Sequence, residues 1–210
     1  MGEMTKHLPK PMLPLGNRPM IDYAIDYIRG AGIQKLVANT HYLHDEIGPH
    51  LAERGVEISH ESREILDTGG GLRAALPLLD DGPVLTMNPD AAWRGPNPVE
   101  VILSAWRPEM DALLLCVPEE NAVARRHPGD FSVENGRISR SGRFVYTGVQ
   151  ILRREHLEEI DEKIFSLNHV WDKLIASNAL SAAIYPGEWC DIGHPEGLAA
   201  AEGLLRGSNV

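Results

Sequence analysis

The stretch Leu85-Thr86-Met87-Asn88-Pro89-Asp90 carries an apolar run directly to a carboxylate, and it is the clearest indication of the fold in the sequence. The run over residues 83–87 predicts a β-strand. In open α/β sheets, ligands bind beyond the carboxyl ends of the strands. Asp90 would therefore face a ligand and could hold Mg²⁺, which takes one or two carboxylates and fills its shell with water and phosphate oxygens. An Asx or proline turn at a strand end explains the same residues without a ligand.

Helix-like and strand-like segments alternate on both sides of this stretch. The pattern predicts helices over residues 19–29, 45–54, 68–76 and 99–106, with Thr68 as a cap, and further strands over residues 35–39, 56–60 and 112–117. Such alternation is typical of an α/β protein of three layers, with a mostly parallel sheet covered on both faces.

The pattern changes after residue 117. Residues 131–134 and 137–139 flank Asn135-Gly136, which predicts a β-hairpin with a primed turn. Further strands are predicted over 144–152, 180–185 and 189–192, and helices over 156–160, 170–176 and 195–205. We expect one domain over 1–210, with a half at 1–117 and a half at 118–210 that extend the same sheet.

Composition and charge narrow the class of protein. The chain has 210 residues, 43% hydrophobic and 24% charged, with a net charge of -10 and a pI near 5.3. An acidic surface makes nucleic acid a poor partner, although a local basic cluster or a bound cation can reverse the field in one cleft. Cys116 and Cys190 have no metal-like spacing, no apolar run is long enough for a membrane span, and the first residues do not form a signal peptide. A cytoplasmic protein with no membrane partner is expected.

Two further segments are candidates for phosphate or nucleotide binding. Lys10 lies among three prolines in the stretch Leu8-Pro9-Lys10-Pro11-Met12-Leu13-Pro14, which stiffen the loop around it. It is a candidate phosphate ligand or a solvated lysine. The stretch Thr68-Gly69-Gly70-Gly71 stands at a helix start, where backbone N–H groups favour oxygen acceptors, or it is a flexible turn.

Two acidic residues in the second half are also candidates. Asp191 ends a short apolar run just before a glycine turn and a helix, as either a cap or a ligand, and the neighbouring His194 is expected to be a loop residue. Asp130 precedes the predicted hairpin and is either a turn aspartate or part of a site.

Together and in this order, these segments resemble the sugar-1-phosphate nucleotidyltransferases over residues 8–205. In length and sequence pattern, the chain most resembles the N-acetylmuramate-1-phosphate uridylyltransferases of cell-wall recycling. Many similar proteins are mannose-1-phosphate guanylyltransferases. The resemblance implies a Rossmann-like nucleotidyltransferase fold, a nucleoside triphosphate and a sugar 1-phosphate as substrates, and Mg²⁺ as cofactor. It says nothing of the oligomeric state.

The resemblance also implies roles for individual residues. Lys10 matches the phosphate-contacting lysine, and Asp90 and Asp191 match the two magnesium ligands. The nucleotide side includes Thr68, Gly69, Gly70 and Asn88, and the sugar side includes Asp130, Thr147 and Gly148. No residue is needed as a nucleophile, because the sugar phosphate attacks the α-phosphorus and pyrophosphate leaves.

The sequence departs from the family in two places. Family members open with a strand and a Gly-x-Gly-x-Arg loop, whereas Met1 falls where that loop ends, so the first strand and the loop arginine are expected to be absent and neighbouring strand edges exposed. We favour a start placed too late over a form defective in triphosphate binding. Pro89 also stands where relatives have glycine or serine.

Two other functions are alternatives to a nucleotidyltransferase. One is a nucleotide-sugar-binding module without turnover. The other is an unrelated phosphosugar-binding or Rossmann-type enzyme, but the Gly-x-Gly-x-x-Gly pattern expected of it is missing.

Overall fold

The computed structural model describes residues 2–207; Met1 and residues 208–210 of the predicted domain lie outside the described residues. The strands are β1 (Pro14–Leu15), β2 (Arg18–Pro19), β3 (Val37–Thr40), β4 (Glu57–His60), β5 (Val84–Met87), β6 (Ala91–Arg94), β7 (Ala112–Pro118), β8 (Ala122–Val123), β9 (Phe131–Glu134), β10 (Arg137–Arg140), β11 (Phe144–Leu152), β12 (Leu180–Ile184) and β13 (Glu188–Asp191). The α-helices are α1 (Met20–Gly30), α2 (His44–Glu53), α3 (Asp67–Ala75), α4 (Pro98–Ala105), α5 (Glu155–Glu158), α6 (Leu167–Ala176) and α7 (Pro195–Arg206). Short 3-10 turns lie at Gly2–Thr5, Lys10–Met12, Leu76–Leu78 and Glu119–Asn121.

The predicted α/β class is confirmed, and the sheet is mixed. One sheet has the strand order β5-β11-β7-β12-β10-β9, a second has the order β6-β13-β8, and β3 pairs with β4 separately. The parallel pairs among the described strands are β3–β4, β7–β12 and β8–β13. The long strand β11 runs antiparallel between β5 and β7, so the main sheet contains less parallel pairing than the alternation of elements suggested.

The strand β7 forms the centre of the core. Residues 112–117 are at most 1% exposed, as expected for a strand covered on both faces. On one face Leu114 packs with Leu72 of α3 and Val170 of α6, and on the other face Leu113 packs with Ile102 of α4. The sheet is therefore the middle layer of three.

Two local predictions have different outcomes. The primed turn is confirmed, because Asn135 and Gly136 both have positive φ, at 50° and 79°. The prediction that Thr68 caps α3 is wrong: α3 begins at Asp67, and the hydroxyl of Thr68 accepts the N–H of Leu167 at 2.9 Å instead. Thr68 thus ties the start of α6 to α3.

The edge strand β5 leads into the candidate site. Leu85 and Met87 on it are only partly buried, and Asn88, which follows it, is exposed. Among residues 2–207, no strand precedes Pro14. No helix in that range has the length and apolar character needed to cross a bilayer.

Candidate active site

Two aspartates, Asp90 and Asp191, line the same pocket at the end of the β6-β13-β8 sheet. Asp90 immediately precedes β6 and Asp191 ends β13, and the antiparallel pairing of these strands sets Ala91 opposite Asp191. The N–H of Ile192 donates to the carbonyl oxygen of Asp90 at 3.0 Å, which extends the pairing past both aspartates. The two side chains are 33% and 23% exposed, so a ligand can reach both carboxylates.

Lys10 approaches Asp90 from the proline-rich lead-in. Its Nζ donates a hydrogen bond to Oδ2 of Asp90. Pro9 precedes the 3-10 turn that begins at Lys10, and Leu13 and Leu15 after it are buried, with 3% and 1% of their surface exposed. These two leucines pack in one apolar cluster with residues of β6 and β13, the strands beside the aspartates. The lysine is therefore anchored next to the carboxylates, whereas a freely solvated lysine would not be.

Asp130 lies in the loop that leads to β9, and both of its carboxylate oxygens have a partner. Oδ1 accepts from Nη2 of Arg125, and Oδ2 accepts the backbone N–H of Tyr146, each at 2.9 Å. A Cβ at the preceding Gly129 would lie 2.3 Å from the carbonyl oxygen of Gly142, so glycine allows the close approach that places the loop. Each carboxylate oxygen keeps a lone pair with which it can accept a further hydrogen bond from a ligand hydroxyl.

Thr147 and Gly148 form an irregularity in β11, where its register with β7 shifts. Gly148 has φ of 87°, and a Cβ there would lie 2.7 Å from Cβ of Asn88. The hydroxyl of Thr147 donates to the carbonyl of Leu115 at 2.7 Å, and the side chain is 1% exposed. Thr147 therefore fixes the bulge, which brings the backbone of β11 against Asn88.

A pocket with a volume of about 330 Å³ opens beside these residues. The structure places six of the sequence-predicted residues in its wall: Asn88, Asp90, Asp130, Thr147, Gly148 and Asp191. Residues that the sequence analysis missed complete the wall: Arg125, Phe131, Arg140, Tyr146, Asn168, Trp171 and Trp189. Trp171 meets the ring of Tyr146 edge-on, with centroids 4.9 Å apart, so aromatic surface lines the same pocket as the carboxylates.

Some of the missed residues had a signal in the sequence. Tyr146 directly precedes Thr147, and Trp189 stands two positions before Asp191, so both share short segments with predicted site residues. Arg125 belongs to the basic run Arg125-Arg126-His127 in an otherwise acidic chain. Trp171 had no such signal, because α6 reaches the pocket only through the tertiary fold.

The glycine segment is not part of this pocket. The N–H groups of Gly69 and Gly70 donate to the carbonyl of Phe165 at 2.9 and 3.0 Å. A Cβ at Gly69 would lie 2.4 Å from the Phe165 ring, and one at Gly70 would lie 2.5 Å from the carbonyl of Lys163. The expectation that these amides are open to a ligand is therefore corrected: the glycines let another segment of the chain approach α3. Thr68 is likewise bonded within the chain.

The charges around Asp90 and Asp191 alternate in sign. Lys10 pairs with Asp90, and Nη1 of Arg125 lies 3.9 Å from Oδ2 of Asp191. Two carboxylates that line an open pocket are the oxygen donors that Mg²⁺ prefers, with phosphate and water oxygens to complete the shell. Burial, and secondarily the charge of Asp191, raises the pKa of Cys190 to about 11, so this thiol stays protonated near neutral pH. The arrangement suits the binding and charge neutralisation of phosphates rather than nucleophilic catalysis.

Comparison with known proteins identifies the family of the chain. The pattern of the family described as MobA-like NTP transferase domain matches residues 1–195. The N-acetylmuramate alpha-1-phosphate uridylyltransferase of Caulobacter vibrioides is 31% identical over 98% of this chain and 91% of its own length. The mannose-1-phosphate guanyltransferase of Gibberella zeae is 26% identical over 98% of this chain, which spans 60% of that longer protein.

A solved structure shares the fold. The crystal structure of HddC from Yersinia pseudotuberculosis, complexed with GMP-PN, has a TM-score of 0.76 and 20% sequence identity, with 94% of this chain and 90% of that chain covered. The likeness extends over both halves of the chain, so the arrangement of the strands around the pocket is that of a known fold.

Proposed function

The chain belongs to the family of MobA-like NTP transferase domains and, within it, to the sugar-1-phosphate nucleotidyltransferases, and on this premise we propose that it joins UTP to N-acetylmuramate 1-phosphate. The products would be the uridine diphosphate sugar and pyrophosphate. A relative of nearly the same length with the corresponding activity supports the choice of substrates. The observation that carries the proposal is the apposition of Lys10, Asp90 and Asp191 at the edge of a sugar-sized pocket.

The proposed reaction needs positioning and charge neutralisation from the protein. An oxygen of the sugar phosphate attacks the α-phosphorus of UTP, the bond to the bridging oxygen of the β-phosphate breaks, and pyrophosphate leaves with the electron pair. Lys10 offsets the negative charge that grows on the α-phosphate. Asp130 and the bulge at Thr147 and Gly148 hold the sugar, which fixes the attacking oxygen in line.

Asp90 and Asp191 would hold Mg²⁺, since both carboxylates are accessible and line the same pocket. Bound there, the cation would neutralise phosphate charge and orient phosphate oxygens.

Asn88, at the carboxyl end of β5, is proposed to contact the nucleotide. Gly69 and Gly70 are not given a nucleotide contact, because they are buried and their amides are bonded to Phe165, and the hydroxyl of Thr68 already accepts the N–H of Leu167. We place the reaction in the cytoplasm, where nucleoside triphosphates are available.

The test is pyrophosphate release in the presence of Mg²⁺ from UTP, GTP, CTP and ATP, each paired with N-acetylmuramate 1-phosphate, mannose 1-phosphate and glucose 1-phosphate. The proposal expects the highest kcat/KM for UTP with N-acetylmuramate 1-phosphate, and loss of turnover when the cation is chelated. The preferred pair GTP and mannose 1-phosphate would instead establish the second candidate, which the similarity to the guanyltransferase supports.

A nucleotide-sugar-binding module without turnover remains the alternative of a different class. It predicts binding of the nucleotide sugar, measured by calorimetry, with no pyrophosphate released from any pair. Binding of the nucleotide sugar that does not depend on Mg²⁺ would also support the binding module, because binding without turnover does not require Asp90 and Asp191 to hold a cation.

A further inference from the structure

The guanidinium of Arg125 lies between two of the candidate site carboxylates. Its Nη2 donates to Oδ1 of Asp130 at 2.9 Å, and its Nη1 lies 3.9 Å from Oδ2 of Asp191. The latter distance is that of an ion pair and is too long for a hydrogen bond. The side chain is 22% exposed and forms part of the pocket wall.

Most of the hydrogen-bonding capacity of Arg125 is unused. A guanidinium has five N–H donors. Within residues 2–207, the bond to Asp130 is the only hydrogen bond that it makes, and its buried Nε has no partner. The buried Nε is closed to a ligand, but Nη1 is not among the buried unpaired atoms and makes no hydrogen bond within residues 2–207, so a ligand in the pocket can accept its N–H groups. The fork of the guanidinium matches two oxygens of a phosphate.

The chain fixes the direction in which Arg125 points. The strand β8, which ends one residue before Ala124, pairs with β13, the strand that carries Asp191. Ala124 then adopts a left-handed conformation with φ of 59°, which is uncommon for alanine. Its carbonyl accepts a hydrogen bond at 2.9 Å from Nε2 of His194, whose Nδ1 accepts the N–H of Gly197.

The next residue points elsewhere. Arg126 pairs with Glu196 on α7, is 59% exposed and does not line the pocket. The turn at Ala124 thus separates two adjacent arginines, one that faces the pocket and one that faces solvent. Arg126 is a matched control for Arg125 in residue type and in sequence position.

We propose that Arg125 binds the phosphate of the sugar 1-phosphate. Lys10, from the first half of the chain, pairs with Asp90, and Arg125, from the second half, faces Asp191 and the aromatic wall that is suited to a sugar. Each aspartate therefore has its own basic side chain. Lys10, beside Asp90, would bind the triphosphate, and Arg125, near Asp191, would bind the sugar phosphate. Asp130 holds the guanidinium in place and can bind a sugar hydroxyl with its free lone pairs. This inference rests on the proposed function.

The test compares Arg125→Gln, Arg125→Lys and Arg126→Gln by initial rates and by calorimetry. For Arg125→Gln, the KM for the sugar 1-phosphate should rise about 10- to 100-fold, the range expected for the loss of charge-assisted hydrogen bonds, while the KM for UTP changes less than about twofold. Arg125→Lys keeps the charge without the fork and should be intermediate, and Arg126→Gln should behave as wild type. A circular-dichroism melt of each variant checks that it is folded.

Two outcomes would overturn this role. One is a fall in kcat with the sugar-phosphate KM unchanged, which would make Arg125 a positioning residue for Asp191; the other is a rise in the KM for UTP alone. If the wild type releases no pyrophosphate, the proposed function fails, and binding of N-acetylmuramate 1-phosphate and mannose 1-phosphate by calorimetry with Mg²⁺ decides about Arg125 separately. Weaker binding in Arg125→Gln than in Arg126→Gln would then support it. Equal binding, or no binding by the wild type, would refute it.

Discussion

The position of Asp90 follows from its place in the chain and from strand pairing. The apolar strand β5 delivers it to a strand end, and the bond from Ile192 to its carbonyl brings Asp191 alongside. Both aspartates carry negative charge into one pocket, and the cation Lys10 pairs with Asp90. At this scale, the local charge arrangement explains why these residue types are found together.

Replacement of Asp90 by Asn should abolish most of the turnover and leave the fold intact. The change removes half of the protein charge available to Mg²⁺, so we expect kcat to fall about 100-fold or more. The side chain is one-third exposed, so the free energy of unfolding should change by less than about 1 kcal/mol. Pyrophosphate release and urea unfolding measure the two effects. Asp80→Asn is the control, since Asp80 is 82% exposed and pairs with Lys35 on the surface; turnover of Asp90→Asn at the control rate would remove Asp90 from the site.

Replacement of Lys10 by Ala should raise the KM for the triphosphate. Lys10 is the cation next to Asp90, and loss of one charged contact to phosphate costs about tenfold in apparent affinity. The KM for UTP and that for the sugar 1-phosphate are measured separately, with Lys6→Ala as the control because Lys6 is exposed. If both constants and kcat match those of the control, Lys10 is no more than a surface ion pair.

The sequence predicted the acidic residues of the pocket better than its other residues. Asp90, Asp130 and Asp191 were found because each follows or precedes a recognisable strand. Trp171 was missed because the amphipathic pattern of α6 is equally typical of a core helix. Its approach to Tyr146 depends on how α6 packs on the sheet, and the sequence pattern contains no information about that packing.

At the scale of elements, α3 shows how a glycine segment can be misinterpreted. A run of glycines at a helix start suits a ligand or a close neighbour equally well. Here the neighbour is the segment around Phe165, whose carbonyl accepts two of the amides. The strand β6 was missed for a related reason: Ala91 and Ala92 have low strand propensity, and the segment is extended because it pairs with β13.

The space beside each glycine predicts opposite effects for two glycine-to-alanine changes, one in α3 and one in α7. Gly69→Ala places a Cβ 2.4 Å from the Phe165 ring and 2.9 Å from its carbonyl, so we expect a loss of about 1–3 kcal/mol in the free energy of unfolding. Gly203→Ala in α7 meets nothing within 4 Å, so it should raise this free energy by about 0.5–1 kcal/mol through helix propensity. Urea unfolding of both variants measures the difference. Equal effects would show that the space beside Gly69 is not restricted.

At the scale of the whole molecule, the halves at 1–117 and 118–210 are interleaved in one sheet. The strand β11 from the second half lies between β5 and β7 from the first, and β12 pairs with the other edge of β7. The alternation of elements predicted the α/β class, but it contains no information about which strands are neighbours. The order of strands is decided by packing on both faces of β7, which a single sequence does not reveal.

This interleaving predicts one cooperative unfolding transition. Trp93 belongs to the first half, although its ring meets Tyr185 of the second half edge-on, and Trp171 belongs to the second half. Variants that keep only Trp93 or only Trp171 of the four tryptophans follow unfolding by fluorescence from these two positions. Their urea midpoints should coincide, because β11 cannot leave β5 and β7 without exposing the core on both faces. A fragment of residues 118–210 should not fold alone, since β11 would lose both neighbours. Two distinct midpoints, or a folded fragment, would show that the halves are independent domains and would overturn the prediction of a single one.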